Sequence, residues 1–343
     1  MRTALRRLPS HLRHITAVRS GAPRDLVAMV YAQSERDFGM VAPPVSLHAP
    51  SPRVLAACWL MLRESLLADG LVDRAVKEAV AASVSLGNAC PYCVEVHSTT
   101  LHGLLKVPSG TEPIDDPAVR DIAAWARAAG TRDSAARHGV PFPFEQAPEL
   151  IGVAVVFQYL NRMVNVFLGE SPIPTSVPAA ARGGVQRILG RYLSSIAGHV
   201  RESAASLDLL PDAPLPDDLS WAAGNPSIAG AFARAVAVVD AAGVRSVPEP
   251  VRLLVLGQLA TWDGEPLGIG STTIDDAVSG LAVANRPAGR LALLTALASH
   301  QVTESVIERF RLTGGDDESL VELTSWASLA AARQAGSWLP SRP

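Results

Sequence analysis

Apolar positions in this chain recur at three- and four-residue steps wherever the pattern is regular, which is the period of one helix face. Val54, Leu55, Cys58, Trp59, Leu62 and Leu66 form one such stripe, and Val76, Val80 and Val84 form the next. The segments 118–129, 150–168, 185–196 and 288–302 follow the same rule. Clusters of Pro, Gly and Asp separate them, as at 108–113 and 141–148. Helices end at such clusters because proline cannot donate its backbone N–H and glycine loosens the chain. Nowhere does the sequence show the two-residue alternation of a half-buried strand. The pattern predicts an all-α fold.

Residues 207–220 (LDLLPDAPLPDDLS) are rich in Pro and Asp and predict a linker between two helical blocks. The blocks resemble distant copies of each other. A shift of 175 positions lays 51–97 over 226–272 and matches Val76 with Val251, Val80 with Val255, and Val84 with Leu259. Farther on the offset is 170, and DPAVRDIAAWARA (116–128) meets RPAGRLALLTALA (286–298). Both of these start with a proline suited to the first helical turn. Chance coincidence between two Ala- and Leu-rich stretches is the competing explanation, and the ordered match of several helices favours duplication. The expected organisation is an Arg-rich arm and lead-in (1–45), a helical domain (46–206), the linker (207–220) and a degenerate helical domain (221–343).

Composition narrows the class. With 343 residues, 48% hydrophobic and 18% charged, the chain can bury a large core and has fewer charges than a typical soluble surface carries. That deficit suggests subunit contacts. A net charge of -3 gives no electrostatic footprint for nucleic acid, and no uninterrupted apolar run reaches the roughly 18 residues of a membrane span. Arg2, Arg6, Arg7, Arg13, Arg19 and Arg24 precede the first acid. This resembles a transit peptide in composition, although an amphipathic arm packed on a partner is the favoured reading. Three cysteines in so long a chain do not make a disulfide framework, so a reducing compartment, the cytoplasm, is expected.

The sharpest local signal is SLGNACPYCVEVHSTTLHG, residues 85–103. Cys90 and Cys93 form a C-x-x-C, and His97 follows Cys93 by four residues. Four helical residues turn through about 400°, so Cys93 and His97 share a face and the imidazole can act as base toward the thiol. Pro91 suits the first turn of a helix. That leaves Cys90 at the helix N-terminus, where free N–H groups and the dipole favour a thiolate. Glu78 lies twelve residues before Cys90. A helix, a turn and a returning helix could set its carboxylate beside His97, holding the tautomer and raising its basicity; taken alone, Glu78 reads as a solvated helix charge, and its spacing is what singles it out.

Three other readings compete for the cysteines. Zinc wants about four ligands, and the one remaining cysteine, Cys58, sits in an apolar run. Two inert core cysteines leave His97 unexplained. A thioredoxin-like site needs a strand before the motif, whereas AVKEAVAASVSLGNA reads as a helix.

On these residues the chain resembles the alkyl hydroperoxidase D-like group of the carboxymuconolactone decarboxylase superfamily. The group's pattern, E-x11-C-x2-C-x3-H, is met at every position by Glu78, Cys90, Cys93 and His97. The resemblance is strong over about 45–130 and fades to an echo after 220. It implies an all-helical homo-oligomer with no bound cofactor, which reduces a hydroperoxide substrate and is restored by an external dithiol, protein or small molecule. It further implies Cys93 as the attacking sulfur and Cys90 as the resolving one, with Glu78 orienting His97; the opposite assignment of the cysteines stays open. Lactone decarboxylation by acid–base chemistry, or a redox sensor without turnover, are the alternatives. In the second copy Glu265, Gly268 and Thr272 stand where the motif has Cys90, Cys93 and His97. Tyr92 is expected to shape the peroxide pocket or to pack, and His102 to be surface or core. Arg162 is expected to pair with a carboxylate in its apolar helix or to meet an acidic substrate group.

Overall fold

The computed structural model describes residues 12–19, 21, 22, 25–106, 112, 115–117, 119–133, 139–173, 176–265 and 272–339. Arg2, Arg6, Arg7, Arg24 and Gly268, and parts of the 108–113 cluster, lie outside the described residues. Among those described, every regular element is helical and no strand occurs.

The first half contains α1 (Leu26–Phe38), the single turn α2 (Pro43–Ser46), α3 (Pro52–Leu62), α4 (Arg74–Gly87), α5 (Pro91–Leu105), α6 (Arg120–Ala128), α7 (Ala147–Phe167) and α8 (Ala179–Ala197). The second contains α9 (Pro226–Ser246), α10 (Glu249–Thr261), α11 (Thr272–Ser279), α12 (Arg286–Ala298), α13 (Glu304–Arg311) and α14 (Asp317–Gly336). Their boundaries follow local chemistry. Proline opens α3, α5 and α9 at the first turn, and Asp316 caps α14 in a reciprocal capping box with Ser319.

One continuous apolar core runs through both halves. Its centre is built where α3 packs on α9 and α7 packs on α14. Glycine permits the closest approach: a Cβ on Gly243 of α9 would stand 2.3 Å from Trp326 Cδ1 of α14. The helical stretch Phe144–Phe167 and helix α9 have the length and mean hydropathy (1.4 and 1.5) of membrane spans. They are core helices instead, with 94% and 61% of those windows buried inside the fold. Polar residues interrupt the apolar run in each, which is why the sequence shows no unbroken span.

Buried polar groups fasten the two halves together. After α3 the chain makes one π-helical turn, Arg63–Leu67, of the kind that inserts an extra residue and redirects side chains. This turn buries Arg63 and Glu64. Arg63 donates to Asp37 of α1 at 2.7 Å and to Glu64 at 2.6 Å. Glu64 also accepts from the Ser206 and Ser227 hydroxyls, each at 2.6 Å, and from the Ala204 N–H at 2.7 Å. A second carboxylate, Glu322 of α14, accepts from Ser51 at 2.9 Å and Ser246 at 2.5 Å. The segment 207–220 is not a free tether: it forms a 3-10 turn at Leu207–Leu209, and Leu209, Leu210 and Leu219 enter the common core. The described part of the N-terminal arm also crosses this body. Arg13 N–H bonds to Phe167 O at 2.8 Å and Thr16 N–H to Asp317 at 2.8 Å.

Candidate active site

Helices α4 and α5 form a hairpin whose tight turn carries the cysteine motif. Asn88 ends α4 with φ -90° and ψ 8°, and Ala89 takes a left-handed φ of 49°. The Cys90 N–H then reaches back to Ser85 O at 3.0 Å. Cys90 occupies the N-cap of α5 and Pro91 its first turn, as the sequence implied. Asn161 of α7 pins this turn from the side: it accepts from Asn88 Nδ2 and donates to Ser85 Oγ, both at 3.0 Å.

The structure brings Glu78, Cys90, Cys93 and His97 together. Cys90 Sγ and Cys93 Sγ are 2.8 Å apart as free thiols, and both side chains are buried. His97 Nδ1 meets Glu78 Oε2 at 2.6 Å. The other carboxylate oxygen accepts from Arg74 Nε at 2.8 Å. The His97 ring also sits edge-on to Phe157 of α7, with centroids 4.5 Å apart, which fixes the plane of the imidazole.

Electrostatics divides the labour. Burial pushes the Glu78 carboxyl up, but Arg74 and His97 outweigh it and hold the group below its ordinary range. It is therefore an anion, able to accept a hydrogen bond from Nδ1–H and leave Nε2 as the basic nitrogen. At Cys93 the balance is the reverse. Burial first, and the neighbouring Cys90 second, push the thiol well above its ordinary value, with a hydrogen bond from Asn161 pulling the other way. Cys93 therefore rests as a thiol. Its proton has to be taken at the moment of reaction, which calls for a neighbouring base.

Beside this cluster lies a cavity of about 250 Å³. Its wall includes Phe38 of α1, Leu62 of α3, Phe157 and Leu160 of α7, and Leu189 and Leu193 of α8. Cys93, His97 and Tyr92 line it from α5, whereas Cys90 and Glu78 do not. The surface is almost wholly hydrocarbon. Helix α8 comes close because glycines face across the contact: a Cβ on Gly103 would stand 2.7 Å from Ser194 Cβ, and one on Gly190 3.0 Å from Thr99 Cγ2.

Other residues singled out in the sequence have different places. His102 is half-buried on α5. Arg162 is buried and donates to carbonyl oxygens, Ala296 O at 2.9 Å and Gln158 O at 2.6 Å, rather than to a carboxylate. It stacks over Trp262, 5.7 Å from the ring centroid, and burial lowers its pKa to about 10. Cys58 is buried in α3, and burial pushes its thiol up. In the second half Trp262 Nε1 donates to Glu265 O at 3.0 Å and Asp263 O accepts from Arg132 N–H at 2.7 Å, so these residues tie a loop in place. Sequence reasoning missed Arg74 and Asn161. The i, i+4 spacing of Arg74 and Glu78 was the available signal for the first; Asn161 is distant in sequence and had none.

No family model matches the chain. A curated protein, alkyl hydroperoxide reductase Rv2159c of Mycobacterium tuberculosis, is 34% identical to it over 338 residues, 96% of this chain and 94% of that protein.

Proposed function

The chain belongs to the family of alkyl hydroperoxide reductase Rv2159c, and from that premise we propose that it reduces bulky, uncharged organic hydroperoxides through a Cys93/Cys90 thiol–disulfide cycle. The observation that carries this reading is the position of Cys93 and His97 together in the wall of the apolar cavity, with Cys90 Sγ 2.8 Å from Cys93 Sγ and outside the lining.

In this cycle His97 Nε2 takes the Cys93 proton as the sulfur attacks the terminal oxygen of the hydroperoxide. The O–O bond breaks, the alkoxide leaves as the alcohol with the proton returned by His97, and Cys93 becomes a sulfenic acid. Cys90 then attacks the Cys93 sulfur, water leaves, and a disulfide forms. An external dithiol reduces it by two exchange steps and closes the cycle. No resident cofactor enters. Membership of the wider carboxymuconolactone decarboxylase superfamily goes with the proposal. It draws support from the four motif residues, while a purely acid–base enzyme would need only Glu78 and His97 and gives the paired thiols no task.

The cavity suggests the substrate class. Burying a phenyl-sized group contributes about 2 kcal/mol, roughly thirtyfold in kcat/KM, and hydrogen peroxide has no such group to bury. Cumene hydroperoxide is expected to exceed hydrogen peroxide in kcat/KM by that factor or more. Leu189→Trp, which fills the cavity from α8, is expected to cost on the order of tenfold for cumene hydroperoxide and under twofold for hydrogen peroxide. Equal rates for the two peroxides in the unmodified protein would overturn the assignment of the cavity.

Residues 221–343 are read, within the same proposal, as a degenerate second copy. Helices α4 and α10 start at Arg74 and Glu249, 175 positions apart, and α7 and α14 start at Ala147 and Asp317, 170 apart. The matched pairs α3 with α9 and α7 with α14 also pack on one another. Such a copy supplies internally the surface that a separate subunit would supply, and homo-oligomerisation would add to it. Glu265→Ala is expected to leave peroxide turnover nearly intact.

A further inference from the structure

We propose that Arg74 is a positioning residue for the Glu78–His97 pair and sets the pH at which His97 is free to take a proton from Cys93. The proposal deepens the peroxidase reading and rests on it for the identity of the proton donor.

Arg74 sits one helical turn before Glu78 on α4 and places two guanidinium nitrogens, Nε at 2.8 Å and Nη2 at 2.7 Å, on the single oxygen Oε1. Oε2 is left for His97 Nδ1 at 2.6 Å. One oxygen thus answers to a permanent cation and the other to the imidazole. Glu78 is only 1% exposed, and a carboxylate so buried prefers to be neutral unless a cation accompanies it. The Arg74 and His97 side chains flanking it are 15% and 11% exposed.

The surroundings leave Arg74 as the cation assigned to the pair. A small chamber of about 10 Å³, room for one water, borders Arg74, Glu78, His97 and Thr100 together with Asp37 and Arg201. Asp37, from α1, is occupied by Arg36 and Arg63. Arg201, from the segment after α8, gives its guanidinium to the backbone carbonyls of Asp37, His199 and Ile196. On α5 the titratable neighbours are Cys93, with Cys90 behind it, and Tyr92, which lines the same cavity. The approaching side chains of α7 and α8 are uncharged, namely Phe157, Asn161, Leu193 and Ile196.

The sign follows from charge alone. A cation at hydrogen-bond distance opposes any additional proton on the Glu78–His97 pair, whichever atom carries it. Without that cation the pair keeps its proton to higher pH, and His97 cannot accept from Cys93 until the proton is lost. The acid limb of the rate profile should therefore move upward by about one unit or more, the range for a unit charge a few ångströms away.

The test uses the full chain with Arg74→Ala, Arg74→Gln and Arg74→Lys, each read in two ways. One is kcat/KM for cumene hydroperoxide against pH, and the other is the titration of the His97 imidazole by NMR. Ala and Gln are expected to raise both midpoints together by about one unit, and Lys to return both toward the unmodified protein. Gln keeps hydrogen-bonding capacity without charge, so it carries the test if Ala fails to fold. Slower variants with unmoved midpoints, or midpoints that fall, would overturn the proposal and leave Arg74 a structural support. Absence of peroxidase activity in the unmodified protein would contradict the proposed function, and the imidazole titration would still decide whether Arg74 governs the pair.

Discussion

Cys93→Ser is expected to abolish peroxide turnover, with a fall in kcat/KM on the order of a thousandfold or more. Cys93 lines the cavity and is the nucleophile of the proposed cycle, and a serine hydroxyl there is far too weak an acid for His97 to activate toward an O–O bond. Cys90→Ser is expected to remove multiple turnover as well, but for another reason. The first oxidation needs Cys93 alone, so the variant should consume one equivalent of peroxide and stop as a sulfenic acid that a dimedone probe can trap. Full multi-turnover activity in Cys90→Ser would refute the two-cysteine cycle. Retention of the burst in Cys93→Ser with its loss in Cys90→Ser would reverse the assignment of attacking and resolving sulfur.

The largest expected loss of stability follows Glu64→Ala, at about 3–5 kcal/mol in the unfolding free energy. Its side chain is buried and serves Arg63, two serine hydroxyls and two backbone N–H groups that come from both halves of the chain. Truncation leaves Arg63 with Asp37 as its remaining carboxylate and takes their acceptor from the Ser206 and Ser227 hydroxyls and the Ser206 N–H in the buried interior. Urea unfolding followed by circular dichroism measures the effect. A loss below about 1 kcal/mol, the value of an exposed pair, would show that water reaches the site and that the two halves are fastened by apolar packing alone.

The parts of this molecule that sequence reveals are those set by local spacing. A step of four residues from Cys93 to His97 fixes a shared helix face, and Pro91 fixes where that helix begins, so the α5 end of the site follows from the motif. Glu78 was reachable because a helix, a short turn and a returning helix form a hairpin of limited geometry. Whatever depends on packing between distant segments stayed hidden. Asn161, 68 residues beyond Cys93, reaches the motif because α7 crosses the α4–α5 turn. The cavity is walled by α1, α2, α3, α5, α7 and α8, and no periodicity in one helix announces a void among six. Arg162 shows the same limit from the other side. A lone cation in an apolar helix suggested an acidic partner, whereas carbonyls of α7 and α12 and the face of Trp262 meet it. Cys93 adds an energetic lesson: the four-residue step to a base is legible in sequence, whereas the burial that pushes its thiol up depends on packing.

The most direct test of the central claim is a thiol count before and after one equivalent of cumene hydroperoxide, run beside peroxide consumption under excess dithiothreitol. The chain has three thiols, and Cys58 is buried away from the motif. The account predicts sustained consumption and the loss of two thiols per chain, leaving one. Unchanged thiols with no consumption would contradict it and leave the Glu78–His97 pair to acid–base chemistry.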